Sequence, residues 1–193
     1  ALTAGRAGAR VILIESAKSL GGQLAWELDE INDALPAKWI NSVGDELNDL
    51  DNVNVLKRTT AFGYYDSNVV NAIENVSDHL YVAAPFTVRQ RLWQIRAEKV
   101  LIATGATERP LVFANNDRPG VILASAARRY VNQYAVKPGN RAIIFANNDD
   151  GYKTAINLFE KGIEIQAVVD SRISVNNFWK NKLEEANIEL ISG

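Results

Sequence analysis

An acidic residue and a pair of glycines follow the first predicted strand. Val11–Ile14 is a run of apolar residues that ends directly at Glu15, and Gly21-Gly22-Gln23 follows after a short polar segment. In a dinucleotide-binding βαβ unit, a carboxylate at this place accepts hydrogen bonds from ribose hydroxyls. A glycine pair lets the backbone pass close to a cofactor. These residue types indicate nucleotide binding; a solvated carboxylate at a strand end is the alternative interpretation.

A second segment with similar chemistry is Val100–Ala106. Its apolar residues precede Thr104 and Gly105, so the pattern predicts a buried parallel strand whose carboxyl end meets a ligand. A core strand that ends in an ordinary turn is the alternative. The candidate cofactor-binding residues are Glu15, Ser16, Gly21, Gly22, Gln23, Ala61, Thr104, Gly105 and Ala106. No residue is nominated as catalytic or as a metal ligand.

Helices and strands in alternation are expected to position these residues. In the first part of the chain we predict a helix end capped by Gly8, a helix from Pro36 to Leu50 and strands at Val11–Ile14 and Val53–Leu56. Between residues 60 and 96 the apolar period changes to two, which predicts an antiparallel β-meander. Later the chain repeats the strand–helix–strand order, with a strand at Ala142–Phe145, a helix from Gly151 to Lys161 and a strand that ends at Asp170.

The turn in this second strand–helix–strand unit departs from the dinucleotide fingerprint. The three glycine positions hold Ala146, Asn148 and Gly151, so only the glycine needed for helix packing is kept. Asp149 and Asp150 add carboxylates, each of which would oppose a phosphate by about 3 kcal/mol at 5 Å and an effective dielectric near 20. We predict a retained fold and a lost nucleotide site. The alternative is a different ligand, such as a cation on the two aspartates.

Composition excludes several classes of function. The 193 residues include no cysteine, which excludes disulfide frameworks, thiolate metal sites and dithiol redox catalysis. A net charge of -2 gives no reason to expect nucleic acid or a membrane as a partner, and the apolar runs are of strand length. No signal peptide opens the chain. The chain has no methionine and begins at Ala1, so we expect a fragment whose first strand and glycine fingerprint lie upstream.

The expected fold class is α/β with two Rossmann-like, FAD/NAD(P)-binding domains. Residues 1–115 would form the first domain, incomplete at its N-terminus and carrying the meander, and residues 116–193 a degenerate second domain. The motifs resemble flavoproteins with two dinucleotide-binding domains, a superfamily that includes the disulfide reductases. A closer resemblance, to the alpha-subunit family of heterotetrameric sarcosine oxidases, rests on Arg91–Trp93, Ile95–Ala97, Ala103–Pro110, Arg118–Val121, Ala126–Arg128 and Phe145–Asp149.

This resemblance implies a cytoplasmic complex in which an alpha subunit assembles with beta, gamma and delta subunits. Such enzymes demethylate sarcosine oxidatively to glycine, pass the one-carbon unit to tetrahydrofolate and produce H2O2. The resemblance implies NAD in the first domain of the alpha subunit, FAD at the amine-oxidising site of the beta subunit, and FMN near their interface. The folate-binding half of the alpha subunit is not among these residues. The fragment alone is therefore expected to be inactive.

Other functions fit the same sequence. A subunit of a related opine or amine dehydrogenase, or of hydrogen cyanide synthase, would have similar architecture. The first site would then hold either NAD or the adenosine half of FAD. A structural subunit that keeps the fold without binding nucleotide is a further alternative, favoured by the altered turn at Ala146–Gly151.

Overall fold

The computed structural model describes residues 1–31 and 33–193, which form two compact units, Ala1–Thr104 and Gly105–Gly193. The boundary between residues 115 and 116, inferred from the sequence, stays a prediction about the domains of the protein. Among the helices of the described residues, none has the length and apolar character needed to cross a bilayer.

The first unit begins with a parallel strand pair. Its elements are α1 (Leu2–Arg6), β1 (Val11–Ile14), a 3-10 turn (Gly22–Trp26), α2 (Pro36–Asp49) and β2 (Val53–Leu56). β1 and β2 run in register, with Val11 opposite Val53 and Ile14 opposite Leu56. Pro36 stands in the first turn of α2, where its missing N–H costs no hydrogen bond. The predicted bounds of both strands are confirmed.

An antiparallel meander follows in the same unit. It consists of β3 (Thr59–Tyr65), β4 (Val69–Asn75) and β5 (Gln90–Arg96), in that order across the sheet. Side chains alternate along β4, where Val70 and Ala72 are buried and Ile73 is exposed. The meander predicted for residues 60–96 is therefore confirmed.

The strand predicted at Val100–Ala103 is wrong. This segment forms no strand, and Leu101 and Ile102 are 88% and 73% exposed. A strand exists only where a neighbouring backbone completes its hydrogen bonds, and no strand of the described residues pairs with this segment. An apolar run favours burial, but it does not indicate whether a neighbouring strand is available for pairing. Thr104 and Gly105 consequently follow exposed, irregular backbone here.

The second unit is built on a parallel sheet. Its elements are α3 (Ala124–Tyr134), β6 (Arg141–Ala146), α4 (Asp150–Glu160), β7 (Glu164–Asp170), α5 (Asn177–Glu185) and β8 (Glu189–Ser192). The sheet order is β6-β7-β8, with both neighbouring pairs parallel. This arrangement confirms the predicted strand–helix–strand unit.

The core of the second unit lies between α4, α5 and the sheet. Tyr152, Val168 and Leu183 are fully buried in it. A Cβ atom added to Gly151 would lie 2.3 Å from the Cβ atom of Ala146, far inside van der Waals contact. The predicted packing role of the third fingerprint glycine is therefore confirmed.

Candidate functional site

Glu15 is fixed at the carboxyl end of β1 by its backbone. Its N–H donates to the carbonyl of Leu56 at 2.9 Å, and its own carbonyl accepts from the N–H of Thr59 at 2.9 Å. These bonds join the parallel pair to the start of the meander. The side chain therefore leaves the sheet at the edge where α/β folds bind ligands.

The Glu15 carboxylate is half-buried and bonds only to nearby groups. Its Oε1 accepts from the N–H of Ala17 at 2.8 Å and lies 3.5 Å from the hydroxyl of Ser16. Within residues 1–31 and 33–193, no lysine or arginine forms an ion pair with it. Since an ionised carboxylate has about four acceptor sites, Glu15 keeps capacity for ribose hydroxyls.

The two glycines after β1 have different structural roles. Gly21 has φ +115°, and a Cβ atom there would lie 2.6 Å from Cδ1 of Ile40 in α2. Gly22 has φ +52°, but a Cβ atom there would meet no atom within 4 Å. Close packing against α2 thus requires Gly21, while Gly22 presents open backbone. Gln23, which follows in the 3-10 turn, is exposed.

The other candidate residues lie in less defined surroundings. Ala61 is exposed on β3, opposite Ala72 and beside an irregularity in the β3–β4 register. Thr104 is the last residue of the first unit, and Gly105 and Ala106 open the second; all three are exposed. The structure thus brings Glu15 and Ser16 into contact. Binding of a cofactor by any candidate residue stays a prediction.

Glu108 has a function that the sequence analysis missed. Its two carboxylate oxygens accept hydrogen bonds from the N–H groups of Ala124 and Ser125, at 3.0 and 2.7 Å. Leu123, at the N-cap of α3, offers no side-chain acceptor for these groups. The carboxylate therefore satisfies open donors of the helix and complements its dipole. Because the acceptor lies 16 and 17 residues before its two donors, no local capping motif reveals it.

Asp170, the counterpart of Glu15 at the end of β7, is 1% exposed and occupied by protein groups. Arg172 places Nη2 2.8 Å from its Oδ2 and Nε 3.1 Å from each of its oxygens. The hydroxyl of Tyr152 donates to the same carboxylate. These bonds consume the acceptor capacity that a ribose would need.

The charges at the α4 turn are also compensated. Nη2 of Arg172 lies 2.8 Å from Oδ1 of Asp149, and Nη1 of Arg128 lies 3.0 Å from Oδ1 of Asp150. Arginines thus compensate both charges, and the opposition of these aspartates to a phosphate stays a prediction. Arg172 instead bridges the turn to the end of β7. Such pairing also disfavours a cation site, and the described residues contain no group of three or more His, Asp or Glu suited to a metal ion.

The electrostatics of this cluster follow from burial and charge. Burial, with the hydrogen bond to Asp170, raises the pKa of Tyr152 to about 12. Burial of Asp170 favours its neutral form, but hydrogen bonds from Arg172 and Tyr152 outweigh this and lower the pKa of Asp170. Hydrogen bonds to Asp170 and Asp149 raise the pKa of Arg172. The three groups therefore form a neutral tyrosine, a carboxylate and a guanidinium at neutral pH.

Two proteins named as sarcosine oxidase alpha subunits are similar in sequence to this chain. A sarcosine oxidase subunit alpha from Rhizobium meliloti (strain 1021) is 46% identical over 193 residues, all of this chain and 20% of that protein. Another, from Corynebacterium sp. (strain P-1), is 41% identical over 177 residues, 90% of this chain and 18% of that protein. The predicted resemblance to the sarcosine oxidase alpha subunit is confirmed. The chain spans about a fifth of the length of these relatives, and no family model matches it.

Two solved structures share the fold of this chain. L-proline dehydrogenase from P. horikoshii aligns with a TM-score of 0.64 and 25% identity, covering 86% of this chain and 32% of that one. An engineered water-forming NADPH oxidase aligns with a TM-score of 0.64 and 15% identity, covering 100% of this chain and 42% of that one. The second likeness concerns the fold alone. The predicted Rossmann-type fold class is confirmed.

Proposed function

We propose that this chain is the part of a sarcosine oxidase-like alpha subunit that contributes an NAD site. The observation that carries the proposal is the Glu15 carboxylate, which is held at the end of a parallel strand and keeps free acceptor capacity. Similarity over the whole of this chain to 20% of a sarcosine oxidase alpha subunit supports the assignment.

The residues of the first unit fit the adenosine part of NAD. Glu15 would accept hydrogen bonds from the ribose hydroxyls, and the same negative charge would repel the 2′-phosphate of NADP. The open backbone of Gly22 permits a close approach by the cofactor. Ser16, Gly21, Gln23, Ala61 and Thr104, which all belong to the first unit, complete the proposed lining, with Ala61 toward the adenine.

The whole enzyme would perform its chemistry elsewhere. Under this proposal, FAD in the beta subunit would supply the oxidation of sarcosine, FMN would lie near the interface of the alpha and beta subunits, and tetrahydrofolate would take the one-carbon unit outside the described residues. Oxygen is reduced to H2O2. The partners are the beta, gamma and delta subunits of a cytoplasmic complex, and this segment holds and orients NAD without contributing a catalytic residue.

A related amine dehydrogenase is a second candidate, supported by one observation. The L-proline dehydrogenase of P. horikoshii shares 25% identity and a TM-score of 0.64 with this chain. The higher identity to sarcosine oxidase subunits, 46% over 193 residues, favours the first candidate. Hydrogen cyanide synthase has no comparable support.

Calorimetric titration of the purified full-length subunit with NAD and with NADP tests the proposed site. We expect binding of NAD and much weaker binding of NADP, because Glu15 faces the ribose. Equal affinity for the two nucleotides would contradict the assignment of Glu15. Oxidation of sarcosine, with detection of H2O2, by the assembled complex tests the substrate separately.

A further inference from the structure

The segment that carries Glu15 is bonded to the connection between β2 and β3. We call this connection the 57–59 turn, after residues 57–59, which lead from the end of β2 to the first residue of β3. The N–H of Thr59 donates to the carbonyl of Glu15, and the N–H of Arg58 donates to the carbonyl of Ala17, both at 2.9 Å. The backbone of residues 15–17 therefore takes its position from this turn.

Ala17 links the Glu15 carboxylate to the same turn. Its N–H donates to Oε1 of Glu15 at 2.8 Å, while its carbonyl accepts the hydrogen bond from Arg58. A hydrogen bond weakens steeply when its angle departs from linearity. A change in the turn that shifts Ala17 would therefore also change how the carboxylate is held.

The 57–59 turn is itself closely constrained. Thr59 is fully buried, and its hydroxyl donates to the carbonyl of Lys57 at 2.9 Å. Arg58 has φ +52°, in the left-handed region that non-glycine residues seldom adopt. Its carbonyl accepts from the N–H of Asn75, the last residue of β4, at 2.9 Å. Strained backbone of this kind persists where surrounding bonds fix it, and such conformations are frequent at ligand sites.

We propose that Thr59 is a positioning residue for the NAD site. Its N–H holds the backbone of Glu15, and its hydroxyl fixes the turn that holds Ala17, which in turn orients the carboxylate. A carboxylate that is already oriented toward the ribose loses less conformational freedom when the nucleotide binds. This role rests on the proposed function, because it concerns the affinity of Glu15 for a nucleotide.

A purely structural role for Thr59 makes a different prediction. A buried hydroxyl bonded to a carbonyl contributes to the stability of the unit whether or not Glu15 is present. A positioning residue instead acts on NAD affinity through Glu15. The two roles therefore separate when the same substitution is made with and without the Glu15 carboxylate.

Calorimetric titration of the full-length subunit with NAD measures the effect of the hydroxyl. Thr59→Val keeps the shape of the side chain and removes the donor, so we expect NAD to bind about fivefold more weakly, the equivalent of one hydrogen bond. Thr59→Ser keeps a hydroxyl and should restore the parent affinity. The matched control is Thr60→Val, at the next and exposed position of β3, which should have no effect. An unchanged affinity in Thr59→Val, or an equal loss in Thr59→Ser, would overturn the proposal.

The decisive measurement repeats the substitution in the Glu15→Ala variant. Because the group that Thr59 positions is then absent, Thr59→Val should change NAD affinity by less than about twofold in this background. The same fivefold loss in both backgrounds would show a structural role and would overturn the proposal.

Ala17→Pro tests the other end of the same chain of hydrogen bonds. Proline removes the N–H that the Glu15 carboxylate accepts and leaves the carbonyl that bonds to Arg58. We expect weaker NAD binding with Glu15 present and no further loss in Glu15→Ala. An unchanged affinity in Ala17→Pro would contradict the proposal even if Thr59→Val failed to fold, which circular dichroism detects. Absence of NAD binding by the parent subunit would instead contradict the proposed function and, with it, this role of Thr59.

Discussion

The two units place a carboxylate at the same point of a parallel strand and treat it differently. Glu15 and Asp170 each accept a hydrogen bond from the backbone N–H two residues later, and both distances are 2.8 Å. That residue is Ala17 in the first unit and Arg172 in the second. Glu15 stays half-buried with open acceptor sites, whereas the Arg172 side chain and Tyr152 occupy Asp170.

This difference shows that the same strand-end geometry can leave a carboxylate open or enclose it. A carboxylate at the carboxyl end of a parallel strand is present in both units. The units differ in the side chain two residues after that carboxylate and in the presence of Tyr152 on α4. In the second unit, Arg172 makes the carboxylate part of an internal ion pair.

The largest expected effect is on the free energy of unfolding, to which we expect Asp170 to contribute much more than Glu15. We expect Asp170→Asn to lower the free energy of unfolding by about 3 kcal/mol, because charge-assisted hydrogen bonds to a buried carboxylate are lost. The matched change Glu15→Gln should stay within about 0.5 kcal/mol. Urea unfolding, followed by the fluorescence of Trp179, measures this; Trp179 stacks on Tyr152 at 6.2 Å between ring centroids. Equal effects of the two changes would contradict the comparison.

The second prediction concerns NAD affinity, for which we expect Glu15 to be important and Asp170 to be unimportant. We expect Glu15→Ala to weaken the affinity of the full-length subunit about 10- to 100-fold, since a hydrogen bond to a charged group contributes about 1.5–3 kcal/mol. Asp170→Asn should leave NAD affinity unchanged, because its carboxylate is already occupied. Isothermal titration calorimetry of both variants provides the measurement. A similar loss in Asp170→Asn would show that the second unit binds the nucleotide.

The sequence predicted local elements well because their signals are local. The bounds of β1 and β2 follow from short β-branched runs with clear ends, and the meander follows from a period of two. The segment at Val100–Ala103 failed for a non-local reason. Its apolar residues resemble those of a buried strand, but strand formation depends on a neighbouring backbone that the run itself does not encode.

The candidate site shows the same limit. The positions of Glu15 and Asp170 were predictable from strand ends, but the availability of their oxygens was not. Arg172 lies two residues after Asp170, which ends β7. This spacing was the sequence signal for their ion pair, and the prediction did not use it. Tyr152 gave no such signal, since its hydroxyl meets Asp170 only when α4 packs on β7.

The third prediction tests the glycine that both binding and non-binding Rossmann turns need. A methyl group at Gly151 would overlap Cβ of Ala146 at 2.3 Å, so Gly151→Ala is expected to destabilise the second unit by about 1–3 kcal/mol. At Gly139 the nearest atom would be 3.7 Å away, and Gly139→Ala should be neutral or slightly stabilising. Thermal unfolding of both variants measures the difference. Similar melting temperatures would mean that α4 shifts to admit the methyl group.

The smallest expected effect concerns the hydroxyl of Tyr152. Tyr152→Phe should cost about 1.5 kcal/mol at neutral pH, the lower end for a hydrogen bond to a charged group, because Arg172 keeps its bonds to Asp170 and the ring still packs against Trp179.

The pH dependence of this loss has a definite sign. The pKa of Tyr152 is raised to about 12, above its ordinary value near 10, so burial of the neutral phenol stabilises the fold fully below pH 10. That contribution disappears as the pH rises from about 10 toward 12, because the unfolded chain releases the proton first. Urea midpoints of the parent and of Tyr152→Phe, measured between pH 8 and pH 11, should therefore diverge least at the highest pH. Parallel curves would show that the Tyr152 hydroxyl ionises as readily in the folded chain as in the unfolded one, and would remove it from the group that holds Asp170.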